Sequence, residues 1–304
     1  MEIGFAVPDS GAWTTPANQV RIAARAEELG YRSLWTLQRL LNPAGSTDRT
    51  YSAVPDPLIT LAYLAAHTSR IRLGVAVVNM PFYSPALLAK QVVTLDQVSG
   101  GRLDLGLGLG WMPEEYAAAG VPMARRGARA DEFLTVLRGL FTGEITSYDG
   151  EFYAFPPVRM DLAPVQAPHP PLLIGGLSPA ALRRAGRFGD GWVSSSRADL
   201  TTVGESIKVV REAAAEAGRD PSALRFVCRG VVKVPGTARG DRRDGPLTGT
   251  YDQIREDLAG LAAQGMTEVF ADLNFDPQVG APDADPDESI RRAEEALEAL
   301  RPAG

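Results

Sequence analysis

Strand-like and helix-like segments alternate eight times along this 304-residue chain, and that alternation constrains its fold more than any other feature. Short apolar runs predict strands at 2–7, 33–37, 70–78, 102–108, 171–176, 190–195, 224–234 and 267–274. Periodic segments rich in Ala, Leu, Glu and Arg predict helices at 16–29, 57–68, 85–98, 129–141, 178–188, 201–217, 251–264 and 288–300. Eight strands, each followed by a helix, predict one α/β domain over residues 1–304, a (β/α)8 barrel of the TIM type.

Three segments depart from this alternation. Residues 143–166 contain two short strand-like runs around Asp149-Gly150, which predicts an insertion hairpin between the fourth helix and the fifth strand. Residues 235–250 and 276–287 are rich in Gly, Pro and charged side chains, and we expect loops there.

Composition excludes several classes of protein. The chain is 45% hydrophobic and 22% charged, which is typical of a soluble globule, and no run approaches the ~20 apolar residues of a membrane span. A net charge of −6 argues against a general nucleic-acid binder. A single Cys228 and only two histidines, His67 and His169, predict no internal disulfide and no metal site. The first residues carry no basic segment followed by an apolar run, so we expect a cytoplasmic location.

The fourth predicted strand is studded with glycine on one face. From Leu103 to Trp111, alternation places the leucines on one face and Asp104, Gly106, Gly108 and Gly110 on the other. Inward glycines near the carboxyl end of a barrel strand favour a cavity at the mouth that seats a cofactor. The alternative is that these small residues interdigitate with large side chains from other strands. We interpret Asp104 as a buried structural carboxylate paired with arginine.

A second glycine-rich turn joins the fifth predicted strand to the fifth predicted helix. Gly175-Gly176 follows a strand, and Ser178 is placed to cap the helix that begins there. Because a helix N-terminus favours an anion, the turn predicts a phosphate site, although a tight strand-to-helix turn explains the same residues. A dinucleotide-binding fingerprint is excluded because Trp111 stands where its third glycine belongs, and no Gly-Lys-Ser/Thr follows either turn.

Several motifs together resemble the bacterial luciferase-like flavin and deazaflavin oxidoreductases. They occur in the expected order at 29–35, 73–78, 84–90, 95–111, 175–179, 189–192 and 249–254. The resemblance implies a barrel that holds an isoalloxazine-like ring at its C-terminal mouth, with a non-proline cis peptide at Ala76–Val77 behind the ring. It also implies a homodimer through the second and third helices. Segments 84–90 and 95–103 resemble the branch that uses coenzyme F420, with FMN as the alternative cofactor.

The resemblance also assigns cofactor contacts to positions of this sequence. Those predicted beside the ring and its side chain are Ala76, Val77, Asn79, Gly108, Gly110 and Trp111. Those predicted at the phosphate are Gly175, Gly176, Leu177 and Ser178.

The catalytic residues are where this sequence departs from the family pattern. Many deazaflavin relatives carry Asp-His after the second strand, whereas this chain has Gln38-Arg39. Gln38 can hydrogen-bond a ligand and Arg39 can bind an anionic substrate or stabilise negative charge, but neither is a good proton donor. A surface loop is the alternative for both, and Tyr51, Tyr83 and Glu115 are candidate proton donors on mouth loops.

The sequence therefore predicts an F420-dependent oxidoreductase that transfers a hydride between the cofactor and a small organic substrate. Two alternatives remain: an FMN-dependent monooxygenase on the same scaffold, and a non-catalytic protein that binds a flavin or deazaflavin. The missing Asp-His pair favours the last of these.

Overall fold

Eight parallel strands close into a barrel in the computed structural model, which describes residues 1–47, 49–234, 243 and 245–302. In chain order the strands are β1 (Glu2–Ala6), β2 (Ser33–Thr36), β3 (Arg72–Asn79), β4 (Leu103–Gly108), β5 (Thr146–Asp149), β6 (Ala154–Val158), β7 (Leu172–Gly175), β8 (Gly191–Val193), β9 (Arg225–Val231) and β10 (Glu268–Asp272). The order around the barrel is β1-β2-β3-β4-β7-β8-β9-β10, and β10 pairs with β1 to close it. The predicted (β/α)8 barrel is confirmed.

The helices lie outside this barrel. They are α1 (Pro16–Glu28), α2 (Pro57–Ala65), α3 (Pro85–Val98), α4 (Pro113–Ala118), α5 (Arg126–Phe141), α6 (Pro179–Phe188), α7 (Val203–Glu216), α8 (Tyr251–Ala263) and α9 (Pro286–Ala299). Five of them, α1, α2, α3, α6 and α9, begin with proline after a Ser, Thr or Asp whose side chain accepts a hydrogen bond from the first turn. Helix α4 was not predicted, because six residues are too few to show a helical period.

The insertion hairpin is confirmed. Strands β5 and β6 pair antiparallel, with Tyr148 opposite Phe155 and Asp149 opposite Ala154. Of the two predicted loops, 276–285 contains neither helix nor strand, whereas 235–242 and 244 lie outside the described residues.

Large side chains fill the barrel interior opposite the small residues. Trp35 of β2 stacks on Phe270 of β10, with ring centroids 4.9 Å apart. A Cβ added at Gly74 would lie 2.5 Å from the Trp35 ring, and one at Gly4 would lie 2.4 Å from Ser33 Oγ. Small and large residues therefore interdigitate at this depth of the barrel, which was the alternative to a cavity.

The leucine face of β4 packs away from the interior, as predicted. Leu103, Leu105 and Leu107 are fully buried in the main core between the barrel and its helices, together with Cys228 of β9. This layer holds the helices on the outside, and it leaves the strand ends free to carry polar side chains.

An ionic network closes the N-terminal end of the barrel. Asp104 is completely buried, and its Oδ1 lies 2.7 Å from Arg72 Nη2 and 2.6 Å from Arg225 Nη1. Arg225 also contacts Glu268 at 2.9 Å, and Glu268 accepts hydrogen bonds from Ser33 and Trp35. Burial acts to raise the pKa of Asp104, but the two guanidinium groups hold it below its usual value. The predicted pairing of Asp104 with arginine is confirmed.

Candidate active site

A cleft opens at the carboxyl ends of the barrel strands. It takes in about 640 Å³ of space between the strand ends, part of which is open solvent. Its walls are Leu37, Gln38, Arg39, Tyr51, Ala76, Val77, Asn79, Trp111, Glu115, Gly175, Gly176, Val193, Ser194, Ser195, Ser196 and Arg229. The cleft thus lies at the end of the barrel where active sites of this architecture are found.

One wall of the cleft is a bulge in β3. The pairing of β3 with β4 shifts between Val75 and Val78, so that Ala76 and Val77 leave the ladder. The Ala76–Val77 peptide is cis, at the position that the resemblance implies. Both residues, with Asn79 after them, face the cleft.

The glycines of β4 make room for this bulge. A Cβ at Gly106 would lie 2.0 Å from the carbonyl oxygen of Val75, and one at Gly108 would lie 2.4 Å from Val77 Cγ2. Gly110 has φ +72 and packs against Phe82 and Asn79. Neither Gly108 nor Gly110 is among the residues that line the cleft. The space that the sequence predicted beside these glycines is therefore occupied by β3, and their contact with a cofactor stays a prediction.

The Gly175-Gly176 turn forms another wall. Gly176 has φ +123, a conformation that favours glycine, and its carbonyl oxygen accepts a hydrogen bond of 2.8 Å from Trp192 Nε1. Ser178 caps α6 by accepting from the N–H of Ala181 at 3.3 Å, as predicted. Gly175 and Gly176 line the cleft, whereas Leu177 and Ser178 are exposed beyond its edge.

This turn can receive an anion. Within the described part of the chain, the backbone N–H groups of Leu177 and Ser178 donate to no oxygen. They stand at the N-terminus of a ten-residue helix, where the helix dipole favours negative charge. The geometry fits a phosphate group at this edge of the cleft.

Gln38 links the ends of β2 and β3. Its Oε1 accepts a hydrogen bond of 2.8 Å from the N–H of Asn79, and its Nε2 donates to the Tyr83 hydroxyl at 2.7 Å. Burial raises the pKa of Tyr83, so this phenol keeps its proton. Gln38 lines the cleft, and its amide is held in one orientation by the protein.

Arg39 is buried beside the cleft, with 8% of its surface exposed. Its Nη1 lies 3.2 Å from Glu115 Oε2, and its Cζ lies 4.2 Å from the ring centroid of Tyr51 and 4.9 Å from that of Trp111. Its Nε is buried and has no hydrogen-bond partner among the described residues. The surface-loop alternative is therefore wrong for Gln38 and Arg39, because both side chains line the cleft.

The predicted proton donors have other partners. Glu115 is buried, pairs with Arg39 through Oε2, and accepts the Leu40 N–H at 2.7 Å through Oε1. Tyr51 lines the cleft under Arg39, while Tyr83 lies behind Gln38 and outside the lining.

A polar cluster at the carboxyl ends of β1, β9 and β10 was missed from the sequence. Arg229 lines the cleft and donates from Nε to Asp272 Oδ2 at 2.6 Å. Asp272 Oδ1 accepts from Asn274, whose own Oδ1 accepts the N–H of Asp9. The available signal was one polar residue near the end of each of these three strands.

Asp9 is the unusual member of this cluster. Its Oδ2 accepts the N–H of Leu37 at 2.6 Å, while its Oδ1 is buried without a partner among the described residues. Burial raises the pKa of Asp9 to about 8, although the Leu37 N–H and the charge of Arg229 act to lower it. Asp9 is therefore mostly protonated at neutral pH.

The described residues contain neither a candidate metal site nor a candidate membrane span. No group of three or more His, Cys, Asp or Glu side chains in that part of the chain could hold a metal ion. None of its helices combines the length and the apolar character needed to cross a membrane.

Two relatives each match more than two thirds of this chain by sequence. The chain is 37% identical over 234 residues to the uncharacterized protein Rv0940c of Mycobacterium tuberculosis, covering 72% of this chain and 80% of that protein. It is 32% identical over 211 residues to the FMNH2-dependent dimethylsulfone monooxygenase of Pseudomonas putida, covering 68% of this chain and 56% of that one.

Two solved structures have the same fold over 99% of this chain. The monooxygenase RslO1 of Streptomyces bottropensis has a TM-score of 0.80 at 24% identity, with 98% of that chain covered. An F420-dependent secondary alcohol dehydrogenase in complex with an F420-acetone adduct has a TM-score of 0.77 at 18% identity, with 99% of that chain covered.

The family model described as luciferase-like monooxygenase matches residues 2–239, which include every wall of the cleft. The chain therefore belongs to the luciferase-like monooxygenase family and is an oxidoreductase.

Proposed function

We propose that this protein is an F420-dependent oxidoreductase that transfers a hydride between the deazaflavin and a small organic substrate in the cleft. The observation that carries the proposal is that two different walls, the β3 bulge and the Gly175-Gly176 turn, line the same cleft. The bulge at Ala76–Val77 offers a flat apolar support, and the Gly175-Gly176 turn offers unbonded N–H groups at a helix N-terminus. A planar ring with a phosphate-bearing side chain fits that combination.

The residues that would hold the cofactor follow from their positions. Ala76, Val77 and Asn79 would contact the ring, and Gly175, Gly176, Leu177 and Ser178 would surround the phosphate. Gly108 and Gly110 would lie behind the wall; without side chains, they leave the space there that Val77 needs. Trp111 would lie at the rim of the cleft. When bound, the deazaflavin supplies a two-electron hydride carrier.

The protein's own contribution is positioning. Gln38 is fixed by Asn79 and Tyr83, so it presents the same edge of its amide to every ligand. Arg39 donates hydrogen bonds without giving up a proton, so it stabilises negative charge on a substrate oxygen. We infer that binding the two reactants against these fixed groups is the main source of rate enhancement.

FMN-dependent monooxygenation is the second candidate function. The 32% identity to the FMNH2-dependent dimethylsulfone monooxygenase favours it. F420 is favoured by segments 84–90 and 95–103, which resemble the branch that uses this coenzyme.

Titration of the purified protein with F420 and with FMN, each oxidised and reduced, tests the choice. We expect F420 to bind at least tenfold more tightly and to be turned over without oxygen on a panel of small alcohols, aldehydes and enones. Tighter FMN binding with oxygen-dependent product formation would replace the proposal by the second candidate. Binding of either cofactor with no redox turnover would instead indicate the non-catalytic alternative.

We also propose a homodimer through α2 and α3 and a cytoplasmic location. Large apolar side chains are exposed on both helices, namely Ile59, Tyr63, Leu87 and Val98. Burying them against a second copy would remove this apolar surface from water.

A further inference from the structure

The geometry points to a substrate that carries an oxyanion, a carboxylate or a sulfonate, bound by Arg39 and Arg229 on the side of the cleft away from the cofactor walls. This inference rests on the proposed function, because it takes the β3 and β7 walls as the cofactor's place.

The barrel order separates the two sides. The proposed cofactor walls come from β3 and β7, which flank β4. Arg39 follows β2 and Arg229 lies on β9, and these two strands flank the adjacent pair β1 and β10. A ligand that lies on the cofactor from this side would therefore meet both guanidinium groups.

Arg39 has donors to spare. Only its Nη1 is engaged, with Glu115 at 3.2 Å and with Met112 Sδ at 3.6 Å. Nε is buried without a partner, and an unsatisfied buried N–H is unfavourable. Nη2 also makes no hydrogen bond with a described residue and, unlike Nε, is not enclosed by protein, so it is the donor that an incoming oxyanion in the cleft would meet.

Arg229 is arranged in the same way. Its Nε donates to Asp272, and its two terminal nitrogens make no hydrogen bond with a described residue although the side chain lines the cleft. Burial raises the pKa of the nearby Asp9 to about 8, so at neutral pH Asp9 adds little negative charge to that of Asp272, which already pairs with Arg229.

The carboxylates of this side are already engaged. Glu115 is the one carboxylate among the described lining residues, and both its oxygens have partners, the Leu40 N–H and Arg39. Asp272 is engaged by Arg229 and Asn274. The side therefore presents donors to a ligand, which selects for acceptors.

Aromatic rings define the rest of the substrate. The guanidinium of Arg39 lies over Tyr51 and Trp111, and these cation–π contacts hold it in place. Trp111 is 46% exposed at the rim and offers apolar surface beside the charged group. A small organic acid with a short hydrocarbon chain would use both.

The test compares anions with neutral partners of similar shape. Propane-1-sulfonate is paired with methyl propyl sulfone, and butanoate with butanamide. Each is titrated calorimetrically into protein saturated with oxidised F420, and into protein without cofactor. We expect each anion to bind at least tenfold more tightly than its neutral partner when the cofactor is present.

Variants test whether Arg39 causes the preference for anions. Arg39→Gln is expected to reduce the preference below threefold, and Arg39→Lys to keep part of it. Because Arg39→Gln leaves Glu115 buried without its partner, the double variant R39Q/E115Q serves if the single one does not fold. Arg197→Gln is the matched control: Arg197 also stacks on Trp111, at 4.6 Å, but does not line the cleft, so its loss should leave the preference unchanged.

Three results would overturn the inference: equal binding of anion and neutral partner, a tenfold preference that survives in R39Q/E115Q, or competition of the anions with the cofactor. The third would assign the arginines to the cofactor. Failure of F420 and FMN to bind at all would appear in the cofactor titration alone, and it would overturn the proposed function instead.

Discussion

Both ends of the barrel carry buried arginines and carboxylates, but the two ends differ in whether these groups have hydrogen-bond partners. At the N-terminal end, Asp104 takes two arginines and every buried polar atom of that network has a partner. At the C-terminal mouth, Asp9 Oδ1 and Arg39 Nε are buried with none among the described residues. A satisfied network stabilises a fold, whereas donors left without acceptors indicate a place for a ligand. The comparison therefore separates structural charge from functional charge within one barrel.

The largest effect on stability is expected from disrupting the ionic network at the N-terminal end of the barrel. Asp104→Ala leaves Arg72 and Arg225 without their shared carboxylate, and we expect a loss of about 3 kcal/mol in the free energy of unfolding. Urea unfolding measures it. Cofactor affinity of the protein that remains folded should be unchanged, and a stability within 0.5 kcal/mol of the wild type, roughly the scatter of surface substitutions, would contradict the structural role.

The next largest effect is a pH dependence of stability, which we expect from Asp9 at the C-terminal mouth. The folded state keeps the proton on Asp9 up to about pH 8, while the unfolded state loses it near the ordinary value of 3.8. Unfolding therefore releases a proton between these values, and stability falls as pH rises through that window. Asp9→Asn removes this dependence, so we expect it to gain about 2 kcal/mol relative to wild type between pH 6 and pH 7.5, at about 1.4 kcal/mol per pH unit.

Denaturation curves at a series of pH values test this expectation. If the free energy of unfolding changed with pH in the same way in wild type and in Asp9→Asn, Asp9 would be ionised in the folded protein at neutral pH.

A smaller effect is expected behind the cofactor wall. In Gly108→Ala the new methyl group would meet Val77 Cγ2 at 2.4 Å and push the bulge into the cleft. We expect cofactor affinity to fall about tenfold, which corresponds to about 1.4 kcal/mol. Gly260→Ala on α8 is the matched control, because nothing lies within 4 Å of a Cβ there. Equal cofactor affinity in both variants would remove Gly108 from the support of the wall.

The smallest effect on the folded monomer is expected at the proposed dimer face. Ile59 is 72% exposed on α2, so Ile59→Glu should change monomer stability by less than about 0.5 kcal/mol while it disrupts the dimer. Sedimentation velocity at low micromolar concentration would show the shift to monomer. Ile145→Glu, at a side chain that is 64% exposed beside the hairpin, should leave the sedimentation coefficient unchanged.

The elements of this fold could be predicted because their signals are local. Thr15-Pro16, Ser84-Pro85 and Ser178-Pro179 mark helix starts by cap and proline, and the alternation of β4 correctly assigned its leucine face. The position of the cis peptide at Ala76–Val77 came from the resemblance of the surrounding motifs.

What fills the barrel could not be predicted in the same way. The partner of Gly74 is Trp35 on the neighbouring strand, and the partner of Gly108 is Val77 from a shifted register. A single strand's alternation gives the face of a residue but not the side chain that meets it. The Asp9–Arg229–Asp272 cluster was missed for the same reason, since Asp9 is far along the chain from Arg229 and Asp272 and meets them only in the closed barrel.

The contact between Gly108 and Val77 makes these two positions share one volume. A side chain added at 108 has nowhere to go unless atoms are removed at 77, so the shape of the proposed cofactor wall is set jointly by two strands. Val77→Ala should therefore restore in Gly108→Ala part of what the single change removes, although each change alone lowers affinity. Evolution of a new ring-binding surface in this barrel would proceed by paired substitutions. A larger residue at 108 alone would clash with Val77, and a smaller residue at 77 alone would leave a gap in the wall.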